Sequence, residues 1–150
     1  MGNICRSPMA EAVFRHRVKQ TRLEHPIECD SAGTHDYHVS EPPDERAQRA
    51  ASRRGYDMSG LRGRQVSRKD FEQFDYVLAM DNHNLALLER ICPPQHAHKL
   101  ALYCDFHERY AGREVPDPYY GRAQDFEQVL DMLEEISASL LGHVQQRARV

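Results

Sequence analysis

The amino-acid sequence predicts an α/β sandwich, three layers with a parallel sheet in the middle, and three observations predict it. Helical and strand-like patterns alternate along the 150 residues. "FDYVLAMD" at 74–81 is a nearly continuous apolar run of strand length, which is how a strand covered on both faces reads. The last stretch sets Phe126, Val129, Leu130, Leu133, Ile136, Leu140, Leu141 and Val144 along one helical stripe.

Taken in order, Ser7 can cap a first helix and Pro8 can take its first position, since proline's missing N–H costs nothing there. That helix is expected to run to about Glu24. "PIECDSAGT" reads as a short strand in which Ile27 and Cys29 alternate with polar neighbours, closing in a small-residue turn. "EPPDERAQRAASRRGY" is a second helix that stops at Gly55, the residue type best suited to a left-handed C-terminal conformation. After the apolar strand, "NHNLALLERI" is a helix and "HKLALYCDF" repeats the strand pattern. In such a fold a ligand binds beyond the carboxyl ends of the strands.

Length and composition restrict the function classes. One domain spanning 1–150 is expected, large enough to fold without disulfides. Hydrophobic residues at 40% and charged ones at 29% argue against disorder. The 20 basic and 23 acidic residues are interspersed and sum to -3, so no broad field gathers nucleic acid or anionic lipid. The four cysteines, Cys5, Cys29, Cys92 and Cys104, are irregularly spaced without a Cys-x-x-Cys, which argues against a zinc site or a secreted disulfide scaffold. They read as reduced, packed thiols. No signal pattern and no membrane-length apolar run is present, so a cytoplasmic location is expected.

The chemistry concentrates at the start. In "MGNICRSP", Gly2-Asn3-Ile4 can turn with backbone N–H groups exposed, Arg6 offers a planar fork of donors, and a helix begins just behind. Fork, free amides and helix end together make a seat for phosphate or arsenate.

The order Gly-Asn-Ile-Cys-Arg-Ser-Pro resembles the phosphate loop of the low-molecular-weight protein tyrosine phosphatases. The likeness continues through "DSAGT" at 30–34, "GRQVSRKDFEQFDYVLAMDNHNL" in mid-chain and "DPYYG" at 117–121, covering essentially the whole chain. The resemblance implies the phosphotyrosine phosphatase I-like fold and a two-step hydrolysis of phosphotyrosine monoesters through a phosphocysteine. It implies that Arg6 binds the equatorial oxygens and that Asp117 is the general acid and base, on a loop restrained by Pro118. Gly2, Asn3, Ile4, Cys5 and Ser7 are implied to line the cradle, Tyr119 and Tyr120 to wall the entrance, and Tyr37 to flank a substrate ring. The implied partners are a phosphotyrosine protein or small aryl phosphate and phosphate ion, on a monomer or weak dimer without a cofactor.

The resemblance places the nucleophilic cysteine two residues before the glycine, and hence immediately before Met1. No internal cysteine replaces it: the residue six beyond Cys5 is Glu11, beyond Cys29 it is His35, beyond Cys92 it is His98, and Cys104 meets Arg109 one residue too soon. The expectation is therefore a chain lacking its nucleophile and its first inner strand, with Met1 an internal methionine of a longer protein, the alternatives being a truncated isoform or a pseudoenzyme that binds phosphate without cleaving it. Cys5 resembles the family's second cysteine, the disulfide partner of the nucleophile under oxidation. Leu61 stands where many members carry a supporting histidine.

Other readings stay open. A catalytically inactive phosphate-binding module has the same seat, and arsenate reductase uses the same scaffold, though Cys92 and Cys104 fit its redox pair poorly. Asp81, after "VLAM", lies at a strand end, where it can cap the next helix or orient the active-site loop, and the cap is favoured. His35, Asp36 and His38, and His96 with His98, lack metal-ligand spacing and read as solvated loop residues. Arg46, Arg49, Arg53, Arg54, Arg62 and Arg64 read as a solvated helix face, with docking of an acidic phosphopeptide as the alternative.

Overall fold

The computed structural model describes residues 5–21 and 27–149, with side chains to 147. Its centre is a parallel pair of strands, β1 (Val77–Ala79) and β2 (Leu100–Leu102), with Leu78 opposite Ala101. Strand alternation sends their side chains to two separate cores. Ala79 and Leu102 pack with Phe71 of α3 (Arg68–Gln73) and Leu88 of α4 (Asn82–Ile91). Leu78 and Met80 face the larger core, built by α1 (Arg6–Gln20), α2 (Glu45–Arg53) and the long α5 (Ala123–Arg149). Helices thus cover both faces of a parallel sheet, the α/β architecture expected.

The α5 stripe behaves as its spacing requires. Phe126, Val129, Leu130, Leu133, Ile136, Leu140 and Leu141 are buried and Val144 is half-buried. The same helix is held to the end of α2 by Arg54, whose guanidinium meets Glu127, Asp131 and Glu134. Gly55 takes φ +87 just past α2, the left-handed turn that ends this helix.

Several boundaries differ from the expectation, each for a local reason. Cys5, not Ser7, is the N-cap of α1, so Pro8 sits in the third helical position. It is still within the first turn, where no N–H is needed. The helix stops at Gln20, because Thr21 turns extended and its hydroxyl donates to the Val18 carbonyl. Glu24 lies outside the described residues. Among the described residues, 27–32 form no ladder strand, and the bridge pairing nearest them is a parallel one between Gly33 and Gln65. The second apolar strand is shortened on both sides by 3-10 turns, Pro94–Lys99 before it and Tyr103–Phe106 after it. The short α3 escaped the periodicity reading, yet Ser67 and Asp70 form a capping box that marks its start.

The run of arginines does not form one solvated face. Arg62 and Arg64 lie outside any helix, Arg64 pairing with Asp30 and Asp70, while Arg54 is consumed by the α5 carboxylates. The histidines also differ. His35 is half-buried, stacked 4.9 Å from Tyr37 and 6.2 Å from His83, and His38 pairs with Glu41 at 2.7 Å. Among the described residues no helix is long and apolar enough to cross a membrane.

Candidate active site

A cavity of about 290 Å³ opens where the carboxyl end of β1 meets the first turn of α1. Residues from four parts of the chain converge on it: Cys5, Arg6 and Ser7; Tyr37; Asn84; and Asp117, Tyr119 and Tyr120. Among the described residues the start of α1 has no side-chain cap, and its first turn holds no acidic residue. A helix end left this way presents backbone donors and positive potential to an anion. Gly2, Asn3 and Ile4, the rest of the expected cradle, lie outside the described residues.

Arg6 is the most constrained side chain of the site, 4% exposed. One terminal nitrogen donates to Asp81 Oδ2 at 2.8 Å and to the Val115 carbonyl at 2.7 Å. The other points toward Asp117, with Nη2 3.9 Å from Oδ2. The guanidinium is thereby held along one edge while its other edge faces the cavity. Val115 is itself fixed, since its N–H donates to the Met80 carbonyl at the end of β1. The acid-bearing loop thus leaves the sheet beside the arginine, and the fully buried Pro118 anchors it.

Asp117 is 40% exposed, and its Oδ1 accepts from the Tyr119 N–H at 3.1 Å. Tyr37 is 65% exposed and Tyr120 95%, so both stand at the mouth rather than in the core. Tyr119 lies half-buried behind them, its ring nearly perpendicular to that of Tyr120. The geometry therefore brings together Arg6, Asp117, Ser7 and the three tyrosines.

Asp81 does more than cap. Its Oδ1 accepts from the Asn84 N–H at 2.8 Å, as expected, while its Oδ2 holds Arg6. An acid at the carboxyl end of an inner strand was the available signal for this second role. Burial pushes the Asp81 carboxyl up, but the Asn84 N–H and the Arg6 guanidinium outweigh it and bring it below the ordinary 3.8. A carboxylate depressed in the folded state stabilises above its unfolded pKa, and that contribution is lost as pH falls through the folded value. Asp81→Asn is thus expected to lower stability by about 1 to 3 kcal/mol at pH 7. The deficit should shrink below about pH 4. Urea midpoints of both proteins at pH 7 and pH 3 check this.

Cys5 is buried, and its thiol is pushed up to about 12 by burial first and by the Asp44 and Asp117 charges next. Such a thiol is a poor nucleophile. Cys104 is also fully buried and raised to about 11, while Cys29 and Cys92 are partly covered and likewise raised. Leu61, in the position of the absent histidine, packs against the larger core instead of bonding to the loop.

An arginine held by a strand-end carboxylate, an uncapped helix end and a facing acid, all at the carboxyl end of parallel strands, define an oxyanion-binding α/β protein. The sequence matches the model of the family described as low molecular weight phosphotyrosine protein phosphatase over residues 1–150. The chain belongs to that family. A low molecular weight protein-tyrosine-phosphatase of Streptomyces coelicolor is 42% identical over 97% of this chain and 90% of its own length. YfkJ of Bacillus subtilis, of the same description, is 37% identical over 100% of this chain and 95% of its own. The crystal structure of a protein tyrosine phosphatase from Entamoeba histolytica with Hepes in the active site superimposes with a TM-score of 0.93. It is 39% identical and covers 99% of this chain and 94% of that one. The protein is a phosphatase of the hydrolase class by family. The family match begins at residue 1 and lends no support to the expected loss of a leading segment.

Proposed function

We propose that this site hydrolyses phosphotyrosine monoesters through a phosphocysteine intermediate. The observation that carries the reading is the approach of Arg6 to Asp117 over an uncapped helix end, beside a mouth of exposed tyrosines. A phosphate seated there meets the free edge of Arg6, whose fork suits two equatorial oxygens. The Entamoeba relative's Hepes is a sulfonate, a tetrahedral oxyanion of the same kind.

In the first step a thiolate attacks phosphorus in line: the S–P bond forms, the P–O(aryl) bond breaks, and Asp117 gives its proton to the leaving phenolate. In the second, water attacks phosphorus, Asp117 takes the water proton, and the S–P bond breaks to release phosphate. Arg6 neutralises charge on the equatorial oxygens in both. The resemblance requires the attacking sulfur to stand six residues before the arginine, and none of the four cysteines in these 150 residues does so. Cys5 does not fit that spacing, since Arg6 follows it directly, and its side chain is buried.

The lack, in these 150 residues, of a cysteine six residues before an arginine favours a second reading for them alone, phosphate binding without turnover. Hydrolysis of para-nitrophenyl phosphate and of phosphotyrosine and phosphoserine peptides tests both, using this chain and one extended upstream by a strand-forming segment ending in Val-Cys. The extended chain is expected to cleave the phosphotyrosine peptide and the shorter one to bind it without cleavage. Equal turnover by the two sinks the assignment of the sulfur. An inert extended chain, indifferent to Asp117→Ala, sinks the enzymatic reading.

A further inference from the structure

Arg46, Arg49 and Arg53 recur at helical spacing on α2 and share one of its faces. They rim an open hollow of about 470 Å³ floored by Ala50, Ala123 and Phe126. Arg46 is engaged: it pairs with Asp44, donates to the Tyr119 and Gly121 carbonyls, and lies 5.0 Å over the Phe126 ring. The other two are not. Arg49 and Arg53 are exposed, and among the described residues neither has a hydrogen bond, ion pair or ring contact. Arg54 and Arg64, further along the same arginine-rich stretch, instead each meet two or more carboxylates within the chain.

We propose that this face docks an acidic segment flanking the phosphotyrosine of a polypeptide substrate, an inference that rests on the phosphotyrosine reading above. Three features point to this occupant. First, the stripe begins at the rim of the active-site cavity, because Arg46 touches Tyr119 and Tyr119 lines that cavity. A chain leaving the mouth on this side passes over Arg49 and Arg53. Second, the register fits an extended peptide. Arg49 and Arg53 are about 6 Å apart along the helix axis at about 1.5 Å per residue. Alternate residues of an extended strand, which point to one side, are about 6.6 Å apart. A Glu-x-Glu sequence therefore meets both guanidiniums. Third, the positive charge is local. The stripe spans about 10 Å from Arg46 to Arg53, on a chain of net charge -3. That suits a short acidic peptide and not the long field of a nucleic acid.

Fluorescence anisotropy with four labelled peptides at low salt tests this without requiring turnover. One carries phosphotyrosine with Glu-x-Glu on both sides; the second has glutamine for each glutamate; the third and fourth repeat these with unphosphorylated tyrosine. The acidic phosphopeptide is expected to bind about 3- to 10-fold more tightly than the neutral one, with the ratio collapsing in high salt. In Arg49→Glu/Arg53→Glu the ratio should invert, and in Arg49→Gln/Arg53→Gln it should approach one, circular dichroism reporting that both are folded. Equal affinity of the two phosphopeptides for the unaltered chain, or an acidic preference that persists in the folded variants, overturns the docking face. Loss of discrimination between phosphorylated and unphosphorylated peptides overturns the phosphotyrosine reading instead.

Discussion

Arg6→Lys, in a chain extended upstream by Val-Cys, is expected to lower turnover of phosphotyrosine peptides by about 100- to 1,000-fold. The charge survives the substitution but the geometry does not. A lysine ammonium is a point donor on a flexible stem and cannot bind one face of a tetrahedral anion while also holding a carboxylate behind it. Arg6 does both kinds of work at once, one nitrogen on Asp81 and Val115 and the other edge toward the cavity. Its loss leaves the buried Val115 carbonyl without its donor, a further cost of about 1 to 3 kcal/mol. Kinetics and thermal unfolding measured together separate the two effects. Turnover within a few-fold of the unaltered protein would remove Arg6 from the reaction.

Asp117→Asn is expected to act on chemistry with little effect on folding. The side chain is 40% exposed, and the amide oxygen of asparagine can still accept from the Tyr119 N–H. What is lost is the transferable proton, worth about 100- to 10,000-fold in rate for a poor leaving group. Phenyl phosphate and phosphotyrosine should therefore suffer most. Para-nitrophenyl phosphate should suffer least, since its phenolate departs with little protonation. A uniform loss across leaving groups would instead mean that Asp117 positions the substrate.

The local signals in the sequence are the ones the structure follows closely. The α5 stripe, the Gly55 stop and the Asp81 cap each depend on neighbours within a turn or two, and each is where the pattern places it. Arg6 and Asp117 also meet, although no periodicity links them; the motif resemblance made that pairing legible. What escaped depends on partners distant in the chain. A strand ends where its ladder ends, so the apolar run 74–81 yields only Val77–Ala79 because β2 is three residues long. The second role of Asp81, open in the sequence as an orienting contact to the loop, gains its partner Arg6 only in the fold. The arginines from 46 to 64 look alike in one dimension, and only the folded chain sorts them into paired and unpaired.

Arg46 grips the acid-bearing loop chiefly through main-chain oxygens, those of Tyr119 and Gly121. A carbonyl is the same at every residue, so exchanging the tyrosines at the mouth removes a ring contact but leaves the loop moored. The molecule can therefore change which aromatic surfaces greet an incoming phosphoester while the proton donor beside them keeps its place. Selectivity and proton delivery are adjacent here, yet they are free to vary separately.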